Sequence, residues 1–368
     1  MNCVYLDHNA TTKIDDAVLS MMVEAYEMPY NPSSIHSLGK KAKIELERAR
    51  EEILSSLSLG SEYQVMFTGS GTEANNIALK SFPEYDVITS CIEHHSVLNV
   101  VNCASVSVSR SGVIDMVSLE ESLMKSGRKK FVSIMSANNE TGVVQPIEEV
   151  VKISKSHNAL VHTDAIQILG KKHINWGSVN PDLVSISAHK FGGPQGVGAL
   201  IYRKEIDVLP IMKGGGQELR RRPGTHNFSG IIGMAKACSL LTDRVEKSKK
   251  LEALRNRIDA RIKTIAPDSI IFGELSERLP NTTSISMFGV KSETQVIYFD
   301  IAGICVSAGS ACSSGSVGVP HVHASMGYDM KDAGCAIRVS LGVDTTEEDV
   351  ECFISTWEKL YKGSRNDK

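Results

Sequence analysis

Six short apolar runs, five of them followed by a polar cluster, limit this 368-residue chain more than any other feature. The runs lie at 63–67, 86–90, 131–136, 159–163, 183–186 and 197–202. Each has the length of a buried strand, and most of the connections between them can hold a helix. Strand, loop and helix in that rotation predict an α/β domain around a mainly parallel sheet. The last run follows its predecessor through a tight Gly-rich turn, so one antiparallel strand is expected there. In an open sheet of this kind, ligands bind beyond the carboxyl ends of the strands.

The polar clusters fall on that predicted edge. They are Thr68-Gly69-Ser70-Gly71-Thr72-Glu73, Glu93-His94-His95, Asn138-Asn139-Glu140-Thr141-Gly142, Asp164-Ala165-Ile166-Gln167 and Ser187-Ala188-His189-Lys190. Any one of them serves as a cap or a turn by itself. All of them on one edge are hard to assign to packing. Gly69 to Thr72 ahead of a helix offers free backbone N–H groups, a hydroxyl and the positive helix end, a seat for phosphate. It is not a Walker A loop, since no Gly-Lys-Ser/Thr follows. Asp164 reads either as a helix N-cap or as the partner of a protonated ring nitrogen. His94 suits stacking on a flat ring or moving protons. Lys190 reads as a strand-end lysine in solvent or as an amine that condenses with a carbonyl. Phosphate seat, carboxylate, ring partner and lysine together describe a site for pyridoxal 5′-phosphate.

The flanks complete the organisation. Residues 4–12 predict a short strand running into a polar turn, and Asp15 or Asp16 caps the next helix. Leu38, Ala42, Leu46, Ala49, Ile53 and Leu57 mark a long helix that Gly60 ends. Another helix carries Leu251, Leu254, Ile258 and Ile262. Short alternating runs follow at 269–272, 283–288, 295–299 and 304–307, and a last helix starts at Thr345 or Thr346. The expected division is an N-terminal segment, 1–14, packing with a small domain; a large cofactor-binding domain, 15–244; and a small α+β domain, 245–368. A net charge of −3 gives no reason to expect nucleic acid or an anionic membrane as partner. No secretion signal or membrane span is read in the sequence. The eight cysteines are scattered without a Cys-x-x-Cys pair, which points to a reducing, cytoplasmic setting and no metal site.

With these stretches, the chain resembles the cysteine desulfurases of the NifS/IscS type, which are fold-type-I pyridoxal-phosphate enzymes. The likeness runs from Tyr5-Leu6-Asp7-His8-Asn9-Ala10-Thr11-Thr12 to Ile337-Arg338-Val339-Ser340-Leu341-Gly342. It is most specific at Asn138 to Gly142, Asp164 to Gln167, Ser187 to Lys190 and Ser307-Ala308-Gly309-Ser310-Ala311-Cys312. The resemblance implies that Lys190 holds the cofactor as a Schiff base. Asp164 would bind the pyridine nitrogen, Gln167 the phenolic oxygen, and His94 would stack on the ring. Gly71, Thr72, Ser187 and His189 would hold the phosphate. Thr225 would reach the phosphate of a neighbouring subunit in a homodimer with shared sites. Asn139 and Arg338 would grip the carboxylate of L-cysteine, and Cys312 would take its sulfur as a persulfide. A sulfur acceptor or iron–sulfur scaffold is the implied protein partner. Cys312 also lies in a run of small residues that suits a surface loop and an accessible thiol, whereas Cys305 sits in an apolar run. Lys213 stands where the family commonly has histidine before the triple glycine, and Pro223 where it has serine. The alternative within the same cofactor class is a selenocysteine lyase or another class V aminotransferase.

Overall fold

The computed structural model describes residues 3–125, 127–309 and 320–366. A two-residue strand, β1 (Val4–Tyr5), comes first. The large sheet contains β2 (Tyr63–Thr68), β3 (Asp86–Ser90), β4 (Cys103–Val106), β5 (Lys130–Met135), β6 (Leu160–Asp164), β7 (Leu183–Ser187) and β8 (Gly198–Arg203). Their order across the sheet is β2-β8-β7-β6-β5-β3-β4. The pairs from β4 to β7 are parallel, while β8 runs antiparallel to both β7 and β2. β8 is the antiparallel strand that the Gly-rich turn foretold. β4 went unread because Ala104 and Ser105 in its middle are exposed, so an edge strand carries no apolar run.

Side-chain alternation explains why the sheet is covered on both faces. Adjacent residues such as Val87 and Ile88, Phe131 and Val132, or Leu200 and Ile201 enter different apolar clusters on opposite sides. The helix Ser37–Ser56 buries Leu46, Ala49 and Ile53 against one of those faces. The helix Asp16–Tyr26 begins at Asp15, whose carboxylate accepts from the Ala17 N–H.

The smaller α+β region is built on β9 (Thr282–Ser286), β10 (Ile304–Cys305), β11 (Ser307–Ala308) and β12 (Ala336–Ser340). β11, β12 and β9 form an antiparallel sheet, and β1 pairs in parallel with β10. Leu6 is buried in this region's core with Ile285, Ile337, Phe353 and Trp357. The closing helix, Glu347–Asn366, starts on a reciprocal cap. Thr346 Oγ1 accepts from Asp349 N–H, and Asp349 Oδ2 accepts from Thr346 N–H.

The alternating runs of this region divide differently from their pattern. Run 295–299 lies in the helix Ser292–Ile301, because Gln295 and Phe299, one turn apart, are buried while Ile297 and Ile301 face outward. Tertiary burial overrides the β preference of Val296 and Ile297 here. Run 269–272 contributes one bridge, Ile271 to Ile285. Run 304–307 splits between β10 and β11, which belong to different sheets.

Candidate active site

Because every strand of the sheet except β8 runs the same way, the segments following β2, β3, β5, β6 and β7 meet on one edge. They enclose a cavity of about 150 Å³. Its lining includes Gly71, Thr72, His94, Asn139, Asp164, Gln167, Ser187, His189 and Lys190, with Asn9 and Arg338 arriving from outside the large sheet. Two other residues expected at the site are Thr225 and Cys312. Thr225 is exposed and does not line this cavity. Cys312 lies outside the described residues.

Ser70 Oγ accepts from Glu73 N–H at 3.1 Å and so starts the helix Gly71–Lys80 at the cavity. At Gly71 the helix start passes close to the Ile166 side chain, so a Cβ there would push Ile166 aside and press on Ser187. The free N–H groups of this first turn, with the Thr72 and Ser187 hydroxyls nearby, make a seat for an anion.

Asp164 ends β6 and is buried. Its Oδ1 accepts from Ile166 N–H at 2.9 Å and its Oδ2 from Asn75 Nδ2 at 2.7 Å. Burial raises its pKa, opposed by these two donors and by the Lys190 charge. Lys190 follows β7 in a single 3₁₀ turn, Ala188–Lys190. Its Nζ donates to the carbonyls of Asn9 at 2.6 Å and Ala10 at 2.7 Å. A carbonyl compound entering the cavity would find that amine, while a positively charged ring nitrogen would find Asp164.

The N-terminal turn supplies the opposite wall. Asn9 O also accepts from Gln167 Nε2, and Asn9 Oδ1 accepts from Lys171 Nζ at 2.9 Å. Lys171 donates a second bond, 2.7 Å, to Gln167 Oε1, which fixes the orientation of that amide. Burial, then the charges of Lys190, Arg338 and Arg244, hold Lys171 well below the usual lysine range. Arg338, on β12, donates to Asp7 Oδ1 at 2.6 Å and to Asn139 O at 3.2 Å. Its buried Nε has no hydrogen-bond partner among the described residues. A guanidinium so placed has a donor left for a carboxylate.

The sequence pattern assigns no role to Asn75, Lys171 or the Asp7 carboxylate, and marks Asn9 only as part of the polar turn. Asn9 and Asp7 sit in the polar turn after β1, where the signal was present. Asn75 and Lys171 act through tertiary contacts that no local pattern marks.

The Aminotransferase class-V family model matches residues 4–353. A cysteine desulfurase IscS of Dictyoglomus turgidum is 37% identical, with 98% of this chain and 95% of that protein covered. The solved NifS-like protein of Rickettsia africae is 39% identical with a TM-score of 0.92, covering 98% of this chain and all of that one. SspA, solved in complex with cysteine, is 28% identical with a TM-score of 0.79, over 93% of this chain and 99% of its own.

His94 yields a test of the site's electrostatics. Its Nδ1 accepts from Ser96 N–H at 3.0 Å, so a neutral ring carries its proton on Nε2. Burial, then Lys190 and the neighbouring histidines, push its pKa down to about 4. The unfolded chain takes up this proton near pH 6.5, the folded chain only near 4. The His94 contribution to stability is therefore complete above about pH 6.5 and is lost as pH falls towards 4. Histidine-selective ¹⁵N NMR should find the ring neutral, with Nε2 protonated, from pH 8 down to about 5. A midpoint near 6.5 would contradict this picture.

Proposed function

The chain belongs to the aminotransferase class-V family, and on that premise we propose that it is a cysteine desulfurase working with pyridoxal 5′-phosphate. The observation that carries the proposal is the meeting of Lys190, Asp164 and the first turn of Gly71–Lys80 on one cavity. These residues fit the cofactor chemically. The helix start and the hydroxyls match its phosphate, the carboxylate held by two N–H donors matches its ring nitrogen, and the amine matches its aldehyde. When bound, the cofactor supplies a carbonyl that condenses with amines and a protonated ring that draws electrons from the substrate α-carbon.

The protein's own residues do the rest. Lys190 would anchor the cofactor through its amine, and the same amine would move the α-proton of the substrate. Asp164 keeps the ring nitrogen protonated, and Gln167, oriented by Lys171, serves the phenolic oxygen. His94, a neutral imidazole lining the cavity, would face the ring. Gly71, Thr72, Ser187 and His189 hold the phosphate. Arg338 and Asn139 take the L-cysteine carboxylate, with Asp7 steadying the guanidinium. Cys312 thiolate attacks the substrate sulfur: an S–S bond forms, the carbon–sulfur bond breaks, and the carbon takes a proton. The products are L-alanine and a persulfide on Cys312. We assign the persulfide to a sulfur acceptor or iron–sulfur scaffold protein in the cytoplasm. The support is the IscS name of the relative, the free thiols among the described cysteines, and the finding that no described helix is long and apolar enough to cross a membrane.

We divide the chain by the same reading into segment 1–14, a large domain 15–244 and a small domain 245–368. We also read the working unit as a homodimer. Thr225 lies away from its own cavity, yet its loop is tied to the phosphate seat, for Arg222 Nε donates to Glu73 Oε1 at 2.8 Å. Leu19, Val23, Tyr26 and Ile35 lie exposed and would be covered by a second copy.

Two experiments test these readings. Incubated with L-cysteine, the protein should release alanine, and sulfide in the presence of a thiol. Cys312→Ser should retain the cofactor yet lose sulfide release by at least about a hundredfold, as expected when a covalent nucleophile is removed. Undiminished release would move the role to another thiol. For the dimer, a Lys190→Ala subunit is mixed with a Thr225→Ala subunit. The one lysine-bearing site then receives an intact Thr225 from its partner and should recover wild-type cofactor affinity. Affinity as weak as in the Thr225→Ala homodimer would mean that the loop serves its own subunit.

A further inference from the structure

Asn75 lies on the buried side of the helix that begins at the phosphate seat. Its amide nitrogen donates to Asp164 Oδ2 at 2.7 Å and to Ser96 Oγ at 2.9 Å. Ser96 Oγ stands 2.8 Å from His94 Nδ1. His94 Nδ1 also accepts from Ser96 N–H, so it carries no proton, and the Ser96 hydroxyl is the donor in this contact. One side chain thus joins the acid below the cavity to the imidazole that lines it. The amide orientation is dictated by charge, since the reverse would turn Oδ1 against the Asp164 carboxylate. In this orientation Oδ1 is buried without a hydrogen-bond partner among the described residues. A buried polar atom left unpaired is destabilising, so packing alone would favour an apolar residue here. The amide is retained for what its nitrogen does.

We propose that Asn75 is a positioning residue which keeps Asp164 ionised and aimed at the ring nitrogen of the cofactor, and through Ser96 fixes the face that His94 presents. The proposal rests on the reading that this cavity holds pyridoxal phosphate. It does not follow from that reading, which would hold equally with Asp164 supported by Ile166 N–H alone. Burial drives the Asp164 pKa up, and the Asn75 donor is one of the two hydrogen bonds that hold it down. Removing the donor therefore raises it, and the variant regains the ionised carboxylate only as pH increases.

The test measures cofactor affinity by equilibrium dialysis, together with the visible band of the bound cofactor, between pH 5.5 and 7.5. Lys190, Lys171, Arg338, Glu93, His94 and His189 are the charged and titratable groups around Asp164, and they are common to wild type and variants. His94 and His189 take up protons only near pH 4, below the window, and Glu93, raised to about 8, begins to ionise only at its upper end, in wild type and variants alike. Asn75→Leu should bind about tenfold more weakly at pH 5.5, the loss of one hydrogen bond to a charged group, and the gap should narrow steadily towards pH 7.5. Asn75→Asp, which preserves shape, should show the opposite trend. Its protonated carboxyl can donate to Asp164 in acid, whereas two carboxylates repel each other as pH rises. Ser96→Ala leaves the Asp164 arm intact and should keep the wild-type pH profile. A deficit in Asn75→Leu that does not vary with pH would make Asn75 a packing residue and overturn the proposal. So would equal trends in the Leu and Asp variants. Failure of the wild-type protein to bind pyridoxal phosphate would instead overturn the cofactor reading and this proposal with it.

Discussion

Everything at the cavity depends on one constraint, the parallel run of β3, β5, β6 and β7. Parallel strands need crossovers, and crossovers put every carboxyl end on the same edge. Asp164 ends β6, Lys190 follows β7 by a single turn, and His94 follows β3. None of these residues has to be brought to the others by a special fold of the chain. The antiparallel strand β8 lies between β7 and β2 in the sheet, and the end of β2 leads into the Ser70 cap and the free N–H groups at the same cavity.

The cavity gathers several ionisable groups, some of them fully buried, and their charges must be managed. His94 and His189 are neutral because burial outweighs hydration, and Lys190 reinforces the effect from nearby. Glu93, buried at the end of β3 and bonded to Ser90, is pushed up to about 8 by burial. Among the buried carboxyls there, Asp164 has two N–H donors and a nearby ammonium to favour its charge. The two cationic walls are handled by Asn9, whose carbonyl takes Lys190 and whose side-chain oxygen takes Lys171. The N-terminal turn thereby belongs to the site, and the same turn supplies Asp7 to Arg338. Strand pairing of β1 with β10, and the bridge from Asp7 to Ser340, hold it in place.

What the sequence disclosed follows from this geometry. Residues that act directly from strand ends, such as Asp164 and Lys190, stand next to recognisable apolar runs and are legible from order alone. Arg338 lies in the middle of β12, and its role came from resemblance rather than from pattern. Asn75 was hidden because its significance depends on which side of a helix meets β6, a tertiary matter. Residues 295–299 misled for the same reason: burial of Gln295 and Phe299, one turn apart, outweighed local preference. Thr225 could be read only with a second subunit in mind, and Cys312 only from the small residues around it and the family motif.

The central claim is that Lys190, and no other amine, meets the aldehyde of the cofactor at the edge of this sheet. Lys171 is its natural rival, buried one turn beyond Gln167 with its amine held well below the ordinary lysine range. Reducing the holoenzyme with borohydride and locating the pyridoxyl group by peptide mass spectrometry decides between them. The account predicts the label on the peptide containing Lys190, and its disappearance in Lys190→Ala. A label on Lys171, or one that survives the Lys190→Ala change, would contradict it.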